Sequence, residues 1–360
     1  MSFSHSKIDI TGSVTLSASP VASAVFDVQL LIDDEANGTT LNGDRFRTYT
    51  STAQATTDFD AGFISSGVRL AINAAFANGI GSILVGRMDS VGGETYSTAL
   101  ALIEAETSGY YYVHIDSRVS TDIATFATTV ESFSRRILFC WQSADSGWLS
   151  AGVPAAFSTT ANQTRNFGAF HQNDVEPLEV AWVASRISTF TPDQKSVAFN
   201  GRVNGIADYS PVITQSEGDL ARQNNINVYG DYKNLTNWVA ADNGAGLMLN
   251  GVSIFIMVTA DFWYTRTTED FANVIVEFSA RKDKLPLNAA GQNVVLGVIK
   301  QRIATMTTAK HFNPEVDPVA VAETIEPADK AAKRMRFSAE AAALGNASVL
   351  TFTFFVEDAI

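Results

Sequence analysis

The stretch GYYYVHIDSRVSTDIATFATTVESFSRRILFCWQ, Gly109–Gln142, decides how this chain is read. GYYYVHID and RRILFCWQ are short runs rich in aromatic and β-branched residues, and each reads as a buried strand. Between them, STDIATFATTVESFS has helical spacing and opens on Ser120 and Thr121, either of which suits a helix cap. Strand, helix and strand in that order predict a parallel pair with a covering helix.

The same alternation extends on both sides. DFDAGFISSGVRLAINAAFANG (58–79) puts Ile64, Val68, Ala71, Ile72, Ala75 and Phe76 at helical spacing before an Asn-Gly stop. SILVGRMD follows as a strand, then TYSTALALIEAE as a helix with Leu100, Leu102 and Ile103 turned inward. Upstream, residues 7–16 and VFDVQLLI read as strands, the second ending in the acidic turn DDEANG. Downstream come a short unit over 148–175, the helix PLEVAWVASRISTF with Pro177 in its first turn, and the helix–strand pair SEGDLARQNNINVYGDY. SIFIMVTA reads as a late strand, followed by two long helices from DFWYTRTTEDFANVIVEFSARKDK and AAGQNVVLGVIKQRIATMTTAKHF. NPEVDPVAVAETIEPAD reads as a linker, and RMRFSAEAAAL as a hairpin partner of the last strand. The expected fold is α/β (α+β), a mixed sheet covered by helices with strand-like arms at both ends. The expected division is an arm at 1–25, a body at 26–310, and linker, terminal hairpin and arm at 311–360.

The bulk numbers restrict function. At 46% hydrophobic and 18% charged, the 360 residues can bury a large core. A net charge of −13 argues against nucleic-acid binding, which needs a basic face. The single cysteine, Cys140, excludes an intrachain disulfide and lies in an apparent buried strand. The opening MSFSHSKIDITGS has no apolar core of a signal peptide, and no apolar run is long enough to span a bilayer, so synthesis and folding in the cytoplasm are expected.

No catalytic, cofactor or metal site assembles from local motifs. The glycines of NGIGSILVG precede a strand, whereas a dinucleotide loop must follow one. In HIDSRVS, Asp116 and the residues after it match a metal-binding Asp-x-Ser-x-Ser too imperfectly. Asp33, Asp34 and Glu35 are consecutive, which predicts a solvated turn, and His5, His114, His171 and His311 have no ligand spacing. Alanine at Asp33, His114 or Asp116 is therefore expected to cost little.

EVAWVASRISTFTPDQKSVAFNGRVNGIADYSPVITQSEGDLARQNNINVYG (179–230) resembles the core of contractile tail sheath proteins. The Asn225-Ile226-Asn227-Val228 strand, and a later helix with Phe262, Trp263 and Tyr264 at its start, fit the same pattern. Segment order agrees over about 60–360, and the literal motif over about 180–280. The chain lacks long inserted outer domains and has NGVSIFIMV in place of a WGARTL-type segment, which brings it nearest to the compact sheaths of small contractile-tailed phages. The resemblance implies a structural subunit in the virion tail, without cofactor or catalysis. Its implied partners are copies of itself in stacked hexameric rings, the tail tube protein, and the baseplate and tail terminator proteins. A baseplate adaptor of related fold is the nearest alternative, an α/β enzyme or ligand-binding domain a more distant one.

The terminal strands gain a purpose from this resemblance. Ile8, Ile10, Val14 and Leu16 at one end, and Leu350, Phe352, Phe354 and Val356 at the other, each form one apolar face of an extended segment. Left open, such strands are aggregation hazards; in sheaths, arms of this kind add to a neighbour's sheet, so these eight residues are the expected joints. Arg281, Lys282, Lys284, Lys300 and Arg302 gather around the two late helices, where the family places the tube, and are the expected tube contacts.

Overall fold

The computed structural model describes residues 7–15, 25–133, 135–173, 175–188, 198–206, 213–232, 235–240, 246–280, 285–331, 334–343 and 349–357. They fall into two compact units: Val25–Phe190 with Val197–Phe255, and the remainder of the chain. The first strand, β1 (Lys7–Thr15), belongs to the second unit.

The first unit is built on a nine-stranded sheet. Its strands are β2 (Gln29–Asp34), β3 (Phe46–Tyr49), β4 (Ile83–Met88), β5 (Tyr112–Ile115) and β6 (Leu138–Ser143). They continue with β7 (Asn166–Phe170), β8 (Gly201–Arg202), β9 (Asn227–Tyr232) and β10 (Leu235–Ala240). The spatial order is β3-β4-β2-β5-β6-β7-β9-β10-β8, parallel from β4 through β9 and antiparallel at both edges. The helices are α1 (Thr52–Asp60), α2 (Ser66–Ala77), α3 (Tyr96–Glu106), α4 (Ser120–Glu131), α5 (Leu178–Ile187) and α6 (Gln215–Gln223). The mixed α/β architecture read from the Gly109–Gln142 unit is thus observed, with β5 and β6 parallel. All residues of β5 and β6 are buried, as strands covered on both faces must be.

Several local expectations need correction. The helix read across 58–77 is two helices. The chain breaks after Asp60, and Ser65 restarts it by accepting a hydrogen bond from the Val68 amide. At α4 the cap position is held by Val119, not Ser120 or Thr121; Ser117 Oγ accepts from the Val119 amide instead. Pro177 stands at the cap of α5, one place before its first turn. Leu102 faces outward and is 43% exposed.

Polar side chains hold the loops of this unit. The Asn224 amide donates to the Trp148 and Ser150 carbonyls at 2.9 and 2.8 Å. Asn225, in the left-handed region, donates to Leu249 O at 3.0 Å. Asn227 donates to the Gly168 and Leu247 carbonyls and accepts from the Leu247 amide, each at 2.9 Å. The NNIN run therefore satisfies backbone groups that two loops leave open. Gly201 has a similar logic: a Cβ there would lie 2.2 Å from the Arg186 guanidinium, which bonds the Asn200 and Arg202 carbonyls.

The chain from 254 onward begins with α7 (Ile254–Ala280), a single helix of 27 residues. SIFIMVTA is its first two turns and not a strand. Residues 253–263 are buried on every side, so no helical stripe was visible in their sequence. It is followed by α8 (Ala289–Thr308), β11 (Val319–Ala322), α9 (Pro327–Ala331), β12 (Arg334–Ala342) and β13 (Val349–Glu357). The stretch expected as a linker thus carries an edge strand and a short helix. The four strands of the second unit form a separate sheet, β1-β13-β12-β11.

Candidate assembly interface

The C-terminal hairpin is present as expected, β12 and β13 pairing antiparallel from Arg334↔Glu357 to Ala342↔Val349. On its other side β13 pairs in parallel with β1, in the register Ile8↔Leu350, Ile10↔Phe352, Gly12↔Phe354 and Val14↔Val356. The residues singled out at the two ends of the sequence therefore share one joint. Leu350 and Phe352 are wholly buried, and the Phe352 ring meets Trp263 of α7 at 4.0 Å between centroids. Leu16 and the side chains of β1, Phe354 and Val356 lie outside the described residues. Within the single chain, β13 is hydrogen-bonded on both flanks, and among the described residues the sheet's open edges are β1 and β11. On β11, Val319 and Val321 are about half exposed, at 51% and 46%.

The basic candidates divide. Lys300 is exposed and lines a groove of about 600 Å³ with Ile303, Ala304, Pro314 and Pro318. Arg302 is engaged within the chain, its Nε and Nη2 donating to Asp270 at 2.8 and 2.9 Å. Arg281, Lys282 and Lys284 lie outside the described residues.

A second constellation, which sequence reasoning treated as a solvated turn, sits at the C-terminal ends of β2 and β5. Asp33 is 1% exposed and accepts from the hydroxyls of Thr39 and Ser65, the latter at 2.8 Å. The Asn37 amide donates to both Asp33 and Asp116, and Tyr96 Oη donates to Asp116 at 2.5 Å. Asp34 and Glu35 do point away, to Ser90 and Arg87. Burial, then the hydrogen bond and charge of Asp33, push the Asp116 pKa up to about 8. Nearby, Arg118 bonds Glu179 at 2.8 Å; burial raises the Glu179 pKa, and its second oxygen has no partner. Among the described residues no three His, Cys, Asp or Glu side chains stand together as metal ligands. His114, deep in β5, bonds Cys140 O and Gln29 Oε1 at 3.0 Å each, and burial pushes its pKa down to about 3. It is a structural residue for which alanine is not a mild change, contrary to the sequence expectation.

Solved chains from contractile sheaths and from a related baseplate share this fold. A chain in the anti-feeding prophage baseplate superposes with a TM-score of 0.67 at 14% identity, covering 96% of each chain. A chain of the contracted helical sheath of the same prophage gives 0.60 at 12% identity, covering 92% of each. The sheath tail protein of Listeria innocua gives 0.58 at 11% identity, covering 94% of this chain and 96% of that one. By sequence, no family model and no curated protein matches.

Proposed function

We propose that this chain is the subunit of a contractile sheath, a structural protein that polymerises helically around an inner tube and contracts to drive it through an envelope. The match along nearly the full length of sheath chains, with no large part of either left over, carries the reading. The terminal sheet supports it. Among the described residues strand β1 is joined to β13 alone, so the same parallel register accepts the N-terminal strand of a neighbouring copy without any change in β13. On this reading the residues from Ile8 to Leu16 and from Leu350 to Val356 link subunits in stacked hexameric rings. Lys300 with Arg281, Lys282 and Lys284 faces the tube, and baseplate and terminator proteins close the two ends. Assembly takes place in the host cytoplasm and the product is part of the virion tail.

The baseplate chain with the higher score favours a second reading, a baseplate component of the same fold. Electron microscopy of the purified protein separates the two. Striated cylinders or open tubes are expected of a sheath subunit; closed rings that never elongate would establish the baseplate reading. A small compact oligomer that forms neither would overturn both.

A further inference from the structure

We propose that the pocket at the C-terminal ends of β2 and β5 binds a hard divalent cation, with Mg²⁺ as the type, between Asp33 and Asp116. The proposal is independent of the sheath reading.

The pocket has a volume of about 360 Å³, room for an ion that keeps part of its water shell. Its walls include Asp33, Asn37, Ser65, Asp116, Arg118 and Glu179. The two aspartates lie within reach of a single amide, that of Asn37. Their immediate partners supply oxygen alone, from Thr39, Ser65 and Tyr96, apart from that amide. Turning the amide by half a revolution presents Oδ1 in place of Nδ2, giving two carboxylates and the neutral oxygens of Asn37 and Ser65 on the pocket wall. Mg²⁺ is commonly held by one or two carboxylates and water, so a third carboxylate in direct contact is not required.

Glu179 supplies the independent indication. It is 1% exposed, it lines the same pocket, and its Oε2 has no hydrogen-bond partner. A buried carboxylate oxygen left unmet is costly, and a hydrated cation would satisfy it through a bridging water. Three acidic side chains then face one guanidinium, Arg118, so the pocket carries surplus negative charge. An ion seated there ties together the turn after β2, the start of α2, the turn after β5 and the start of α5.

The full-length protein, stripped with a chelator and titrated with MgCl₂ at pH 7, tests this by calorimetry. One ion per chain is expected. Asp116→Asn and Asp33→Asn should each weaken binding by about 30-fold or more. Glu315→Gln, at an exposed carboxylate remote in sequence from the pocket, should bind as the parent does. Absence of binding at millimolar Mg²⁺, or equal binding by folded Asp116→Asn, would each overturn the proposal. Absence of binding by the parent protein overturns it even if a variant fails to fold.

Discussion

His114 and Asp116 stand two residues apart and make opposite demands on pH. His114 is neutral when folded, with its pKa pushed down to about 3 by burial against an ordinary value of 6.5. The unfolded chain therefore binds the extra proton between those values, and stability is lost as pH falls below 6.5. Asp116 stays protonated when folded up to about 8, against 3.8 ordinarily, so the folded chain binds the extra proton and stability is lost as pH rises. The two effects oppose each other below about 6.5, and only Asp116 acts from there to 8. Urea unfolding in chelator should show stability falling across that upper window by up to about 1.4 kcal/mol per pH unit. Asp116→Asn should flatten the slope; an unchanged slope would assign it to other groups. Gly168 gives a sharper steric case. It lies opposite Trp141 in the β6–β7 pair, and a Cβ would come within 2.5 Å of that indole, already packed on Trp148 and Phe157. Gly168→Ala should cost about 1–3 kcal/mol in thermal unfolding. Neither the aspartate pair nor this glycine was legible in the sequence. Asp33 and Asp116 are 83 residues apart, and only the parallel pairing of β2 with β5 brings them together.

Among elements, the strands of the first unit were the legible ones because doubly covered parallel strands are written as unbroken apolar runs. The short edge strands β3 and β8 were not seen, since a few residues of pairing leave no periodicity to detect; β10, between β9 and β8, was missed as well. The beginning of α7 was misread for the opposite reason, an excess of apolar residues. The two end strands were recognised from their one-sided pattern, but which strand each pairs with is a matter of register that composition does not state. Their removal should have unequal effects. Phe352→Ala opens a cavity beside Trp263 and should destabilise the second unit by about 3–5 kcal/mol. Deleting residues 1–17 removes an outer strand and leaves β11, β12 and β13 paired, so circular dichroism should report a folded chain. Sedimentation should show that this folded chain no longer polymerises. Normal tubes from the deletion would reject β1 as a linking strand.

For the whole molecule, the net charge of −13 makes each exposed cation matter. Arg302 is committed to Asp270, so reversing it would disturb the pairing of α7 with α8 rather than an outer contact. Among the described residues Lys300 has no ion-pair partner, and it is exposed. Reversal of Lys300 together with Arg281, Lys282 and Lys284 to Glu should weaken co-sedimentation with tubes in low salt, where charge contacts are strongest, and spare self-assembly. Tube binding equal to that of the parent would remove these residues from the tube face. The fold was readable from segment order, whereas the division into two units was not, because the second unit draws its strands from both ends of the chain.

The parallel pairing of β1 with β13 has a mechanical side. The chain leaves β1 at Thr15, opposite Glu357, but enters β13 at Val349, opposite Lys7. Tension carried by those two connections therefore pulls at opposite ends of the strand pair and draws one strand lengthwise past the other. In that geometry the rungs of the ladder bear load together and must fail nearly at once. Had both connections left from the same end, the strands would peel open rung by rung at a far smaller force. A joint made in this register is one that resists stretching along its length while yielding readily to a sideways tug, which single-molecule pulling from engineered attachment points at the two kinds of end would reveal.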